Sequence, residues 1–222
     1  MSVTPFQMSE HRKVAVAYLL PFVLLVTTGI AFYFLPLFLG QKNGYFAAFL
    51  FYWLFWCMAV PVMLTGKRSI IELFRFSKPL LGEHKFLNLL FLLLPLVLVY
   101  SYEFPKVIKH SNDAVILSSV ILSVVNATAE EILWRGTFLK ILGRNSGSYI
   151  LFSSFGFAIW HFAPQLVFSN KEPGGAFSLV AIAFVLGLLY SYVAKDTRSI
   201  LLTIAAHILF DFSGLGGRLY FS

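Results

Sequence analysis

The sequence predicts an all-α polytopic transmembrane helical bundle of about seven spans. Two observations carry this. The chain is 59% hydrophobic and only 12% charged, where a soluble domain carries roughly 25% charged residues. Its apolar residues also gather into long runs bounded by charge or turn residues, and 222 residues leave room for about seven runs of ~20 residues. We read residues 1–222 as one integral membrane domain. Residues 1–109 hold N-terminal helices and an interfacial loop, and 110–213 a C-terminal core of four helices.

The candidate spans are 14–39, 45–64, 86–104, 114–139, 148–169, 177–194 and 198–213. Pro21, Pro36, Pro61 and Pro95 fall in or near spans, which membrane helices tolerate because neighbouring groups satisfy the freed backbone. The first span follows a short polar lead with no small-residue cleavage site, so it reads as retained rather than as a signal peptide. Between spans two and three lies GKRSIIELFRFSKPLLGEHK. Ile70, Ile71, Leu73, Phe74 and Phe76 interleave with Glu72 and Arg75, which suits a helix lying at the interface; a plain basic loop is the alternative. The last span is short and runs into the Gly-rich SGLGGRLYFS tail.

Orientation follows from Lys and Arg. With the N-terminus in the cytoplasm, Arg12, Lys13, Lys67, Arg68, Arg75, Lys78, Lys85, Lys140, Arg144, Lys195 and Arg198 lie inside, against Lys42, Lys106, Lys109, Lys171 and Arg218 outside. The positive-inside rule favours this placement in the cell membrane, and seven spans put the C-terminus outside. The net charge of +7 belongs to topology and to anionic lipid. No basic face points to nucleic acid. Cys57, the one cysteine, excludes an intrachain disulfide and a cysteine metal cluster and reads as a buried inert thiol.

The chemistry concentrates in three later spans. SVVNATAEEILWRGTFLK carries Glu130, Glu131 and Arg135, FGFAIWHFAP carries His161, and LTIAAHILFDF carries His207 and Asp211. Ionisable groups inside a span are expensive and mark function by default. Glu131 and Arg135 are four apart and share a helix face, as a structural pair. Glu130 points about 100° away, toward the bundle interior. His207 and Asp211 share a face too. In the proposed topology Glu130, His161 and His207 lie at depths that agree within roughly 6 Å at 1.5 Å per residue. A carboxylate beside imidazoles can deprotonate a water that attacks a carbonyl, with histidine stabilising the oxyanion. Alternatively the imidazoles and a carboxylate can bind a divalent metal such as Zn²⁺. No HExxH helix occurs, and GRNSG around Ser146 is one residue too long for a G-x-S-G serine motif.

The motif order is E-E-x-x-x-R at Glu130, Glu131 and Arg135, F-x-x-x-H at Phe157 and His161, and H-x-x-x-[ND] at His207 and Asp211. It resembles the CAAX-processing and bacteriocin-processing intramembrane proteases, the CPBP or Abi family, over about residues 110–213. Each motif alone is weak; three in order, each in an apolar span, are specific. The resemblance implies an intramembrane endopeptidase whose catalytic core is the C-terminal four helices. It places the general base on Glu130, and water-positioning or oxyanion roles on His161 and His207. Asp211 holds the final Asn-or-Asp position. An ionised Asp cannot donate a hydrogen bond, so Asp211 would orient His207 or bind metal. The implied substrate is a membrane-associated peptide or protein: a prenylated tail, a bacteriocin or pheromone leader, or an anchored regulator. The bilayer is the other partner.

Blander readings exist for each residue. Glu131 with Arg135 can be a structural ion pair alone, and either histidine a packing residue. Asp211 can be a helix-end residue, and Asn126, one turn before Glu130, either lines the same cavity or does not. Trp134, Trp160 and Tyr190 read as core aromatics. From other functional classes, His161 and His207 suit the axial ligands of a bis-histidine haem carrier, and the fold could serve as a non-catalytic immunity or scaffold protein. A transporter lacks the internal repeats it would need.

Overall fold

The computed structural model describes residues 9–143 and 147–221; Arg144 and Ser146 lie outside them. The fold is all-helical. Helix α1 (Glu10–Leu39) carries Pro21 and Pro36 inside it. Gly40, at φ 78°, turns the chain into α2 (Gln41–Thr65), which packs back on α1. Gly44 makes that hairpin possible, since a Cβ there would overlap the Pro36 backbone. After α2 come α3 (Lys67–Leu73), α4 (Lys85–Tyr102) and the short α5 (Phe104–Ile108). Helix α6 (Asp113–Leu142) opens with Asn112, whose side chain accepts from the Val115 N–H at 2.9 Å, a normal N-cap. Then follow α7 (Gly147–Trp160), α8 (Gly175–Thr197), α9 (Leu201–Ser213) and α10 (Arg218–Phe221).

Each of the seven apolar stretches holds a helix, but five are long and apolar enough to cross a membrane: α1, α2, α4, α6 and α8. Helix α7 has 14 residues and α9 has 13, about 21 Å and 20 Å at 1.5 Å per residue, short of a hydrocarbon core of ~30 Å. The apolar run 148–169 is longer than its helix, and Pro164, which has no N–H to donate to a preceding turn, lies just past the helix end. The chain there leaves α7 in turns and re-forms as a single 3₁₀ turn, Pro164–Leu166. The expected interfacial helix is likewise only the seven residues of α3. Ile70 and Leu73 are buried, and the Leu73 carbonyl accepts from Ile200 N–H (3.1 Å) and Ser199 Oγ (3.2 Å). The loop is docked on the turn between α8 and α9.

The outer faces of the long helices are apolar: Leu37, Phe38 and Phe86 are mostly exposed, as lipid-facing side chains are. The buried polar residues lie within. Helices α7 and α8 pack along each other, α9 packs against α6 and α4, and α2 reaches α6. At the α7–α8 crossing a Cβ on Gly187 would stand 2.8 Å from Ser154 Cα, so glycine sets that approach. Cys57 is fully buried.

Candidate active site

Two helices loosen where the polar residues sit. Helix α2 is π-helical over Tyr52–Ala59 and α6 over Glu131–Thr137. Such wide turns inside α-helices occur often at functional sites. The Thr137 hydroxyl donates back to the Ile132 carbonyl, five residues earlier, at 3.0 Å. The α6 segment begins between the two glutamates and is buried throughout.

Glu130 is 2% exposed. Its Oε1 accepts from the Tyr52 hydroxyl at 3.2 Å and its Oε2 from Asn126 Nδ2 at 3.2 Å. Tyr52 in turn accepts from Trp134 Nε1 at 2.8 Å. His207 Nε2 stands 3.6 Å from Glu130 Oε2 and 3.4 Å from Asp211 Oδ1, while its Nδ1 lies 2.9 Å from Glu131 Oε1. An ionised carboxylate only accepts, so Nδ1 carries the proton and Nε2 is turned to Glu130 and Asp211. This is the arrangement in which one carboxylate fixes an imidazole's tautomer and orientation while the other nitrogen faces the reacting centre.

Glu131 Oε1 also pairs with Arg135 Nη1 at 3.1 Å, both side chains fully buried. The guanidinium lies 4.2 Å from the centre of the Phe157 ring. Glu131 therefore does more than neutralise Arg135: the same oxygen holds His207. Glu131 thus lies in the buried pair with Arg135 and also meets an imidazole, while Glu130 has Tyr52, Asn126 and His207 as neighbours.

His161 follows the last turn of α7. Its Nδ1 is 2.7 Å from the Phe157 carbonyl. A carbonyl only accepts, so Nδ1 again carries the proton, and in the neutral ring Nε2 is an acceptor. The Phe157 ring is edge-on to both imidazoles, with centroids 4.7 Å from His161 and 5.7 Å from His207. Among the described residues no hydrogen bond or ion pair joins His161 directly to Glu130 or His207. The bis-histidine haem reading requires porphyrin space between the two imidazoles, and the Phe157 ring packs against both.

The metal alternative was tested on the donor set. Among the described residues no group of three His, Cys, Asp or Glu side chains has the spacing to hold an ion. The residues do not fit a metal, and no step is routed through one.

Sequence reasoning missed two contributors from the N-terminal half, Tyr52 and Trp53. The Trp53 N–H donates to Asn126 Oδ1 at 2.9 Å, and Asn126 Nδ2 also donates to Asp211 Oδ2 at 2.9 Å. Asn126 thus lines the site. The apolar run FYWLFWCMAV offers no periodicity that singles out Tyr52 or Trp53 from the third polar-tipped aromatic in the run, Trp56. Beside Asn126 and Asp211 a cavity of about 310 Å³ opens, walled by Tyr45, Phe46, Phe49 and Tyr220.

No curated protein and no solved structure matches the chain. Residues 112–213 match the family model described as type II CAAX prenyl endopeptidase Rce1-like, a stretch that holds Asn126, Glu130, Glu131, Arg135, His161, His207 and Asp211; over this segment the chain is similar to that family, in agreement with the motif order.

Proposed function

We propose that the protein is an intramembrane endopeptidase that hydrolyses a peptide bond in a membrane-associated substrate with Glu130 as general base. The observation that carries this reading is the buried Glu130, two of whose neighbours, Tyr52 and Asn126, donate hydrogen bonds to it while His207 Nε2 stands 3.6 Å away. These contacts fix the carboxylate's position without pairing it with a permanent cation. Glu130 takes one proton from a bound water, the hydroxide attacks the scissile carbonyl, and the proton passes to the leaving amine as the C–N bond breaks. His207, oriented by Glu131, faces the same water through Nε2. His161, with its proton on Nδ1, serves as an acceptor that positions water rather than as an oxyanion donor. Asp211 accepts from Asn126 and faces His207. The matching family's description as a CAAX prenyl endopeptidase favours a prenylated tail; a bacteriocin or pheromone leader or an anchored regulator are the other substrates of this chemistry. A cytoplasmic N-terminus and a C-terminus on the opposite side belong to this proposal.

The test is Glu130→Gln in purified, bilayer-reconstituted protein, read with an internally quenched farnesylated peptide ending in a CAAX box. The change keeps size and removes basicity. Cleavage by the wild type and none by Glu130→Gln, at equal folded abundance, is the expected result. Wild-type turnover by the variant would sink the general-base assignment.

A further inference from the structure

Helix α2 lies outside the segment that matches the family model, yet it supplies an indole to the site. Trp53 is 6% exposed, and its Nε1–H donates to Asn126 Oδ1 at 2.9 Å. An indole N–H can only donate. The amide oxygen must therefore face it, and the two hydrogens of Asn126 Nδ2 are left for the other end. There they meet two carboxylates: Glu130 Oε2 at 3.2 Å on the same helix and Asp211 Oδ2 at 2.9 Å on α9. The opposite amide orientation would set an oxygen against both carboxylates and a second donor against the indole.

We propose that Trp53 and Asn126 form one positioning unit, in which the indole locks the amide so that it holds Glu130 and Asp211 in register across two helices. This rests on the endopeptidase reading above and extends it to a helix that no motif marks. The unit also stands where a substrate would approach. Trp53, Asn126 and Asp211 all line the 310 Å³ aromatic cavity, which would hold about ten waters at ~30 Å³ each. The Asp211 side chain is 23% exposed, against 2% for Glu130. The cavity side is thus the open side of the pair, and Asn126 fixes how the two carboxylates meet whatever enters. Tyr52, the neighbour of Trp53, holds the other oxygen of Glu130 at 3.2 Å. The π-helical turn of α2 begins at Tyr52, and both residues face α6.

The test uses the full chain in a bilayer, with Trp53→Phe, Asn126→Leu, their double variant and Glu130→Gln as reference. Trp53→Phe keeps an aromatic ring in the wall and removes only the donor, so it remains informative if Asn126→Leu folds poorly. Asn126→Leu removes hydrogen bonds to charged groups, about 1.5–3 kcal/mol each, which at 1.36 kcal/mol per decade is about a ten- to hundred-fold loss; Trp53→Phe removes one between neutral groups, a loss of about two- to tenfold. Each loss should fall on kcat for cleavage of the quenched farnesylated peptide, with KM within about threefold, because the unit orients the carboxylates rather than binding substrate. The double variant should be no slower than Asn126→Leu, the mark of residues acting as one. A readout independent of substrate is the ¹⁵N–¹H resonance of the Trp53 indole, assigned by its loss in Trp53→Phe; it should move in Asn126→Leu. An unmoved indole resonance overturns the proposal. So does kcat within twofold of wild type in Asn126→Leu or Trp53→Phe while Glu130→Gln is inactive, an outcome that leaves the general-base reading standing. Wild-type cleavage by Glu130→Gln instead overturns that reading and, with it, this one.

Discussion

Removing the positive charge of Arg135 should be among the most damaging single changes in the chain. Its guanidinium and the Glu131 carboxylate are both fully buried and 3.1 Å apart. None of its N–H groups is aligned on an acceptor among the described residues, so the pair is held by charge and by the face of Phe157 rather than by a bidentate hydrogen bond. Arg135→Met leaves Glu131 as a lone buried charge, which costs roughly 3–5 kcal/mol. For a chain of this size about 2–4 °C of melting temperature accompanies each kcal/mol, so the expected drop is about 6–20 °C in detergent micelles. Glu131→Gln should give a loss of similar size, for the mirror reason. Combining Glu131→Gln with Arg135→Met removes both charges and should recover most of the stability, since replacing a whole buried pair by neutral groups is often close to neutral. Activity should not recover with it, because the double variant no longer places a carboxylate 2.9 Å from His207 Nδ1. Melting of both single variants within 2 °C of wild type would refute the reasoning, as would a double variant whose loss equals the sum of the two.

His161→Ala and His207→Ala should each reduce peptide cleavage severely, and the double variant should add little, as for groups that serve one water; additive losses in single-turnover assays would separate them into two sites. Reporter fusions should place the N-terminus in the cytoplasm, following the eleven-to-five bias of Lys and Arg, and a cytoplasmic C-terminus would show that an even number of segments crosses. On the surface, Lys140 Nζ donates to Glu72 Oε2 at 3.2 Å, and this hydrogen bond holds the Glu72 carboxyl below its ordinary value. A group depressed in the folded state stabilises above its unfolded value and loses that contribution as pH falls through the folded one, so Glu72→Gln should lower the melting temperature slightly near neutrality and leave it unchanged in acid below the folded value, where the wild type has lost the contribution too.

The parts of the site written as local spacing were legible in the sequence. Glu131 and Arg135 four apart, and His207 and Asp211 four apart, are geometric statements about one helix, and both pairs lie as that spacing requires. Contacts between helices were legible only through motif order and matched depth, which set Glu130, His161 and His207 in one layer and did not foresee that Glu131 meets His207 Nδ1. Tyr52 was invisible because its polar atom is one hydroxyl on an aromatic ring in a run of aromatics, where hydropathy patterning registers the ring alone. The runs 148–169 and 198–213 hold helices that fall short of the length the five candidate spans reach, because apolar runs measure burial as well as lipid exposure. Segments packed inside the bundle, such as α7 with buried Ser153, Ser154, Phe157 and Trp160, need not be long enough to meet both interfaces.

The dependence of stability and chemistry on the same atoms follows from where Glu131 sits. One of its oxygens is shared between Arg135 and His207, so the charge that makes the arginine tolerable in a low-dielectric interior also sets the proton on the imidazole. A buried pair alone is weak evidence of stabilisation, and an apolar pair in its place would pack as well. What an apolar pair could not do is keep His207 Nε2 aimed at Glu130 and Asp211. Arg135 is then the partner of Glu131, Glu131 meets His207 Nδ1, and the neighbouring Glu130 is left with Tyr52, Asn126 and His207 for its own partners. In the proposed mechanism, two adjacent glutamates with different surroundings let a single helix carry both an orienting acid and a reacting one at the same depth of a membrane.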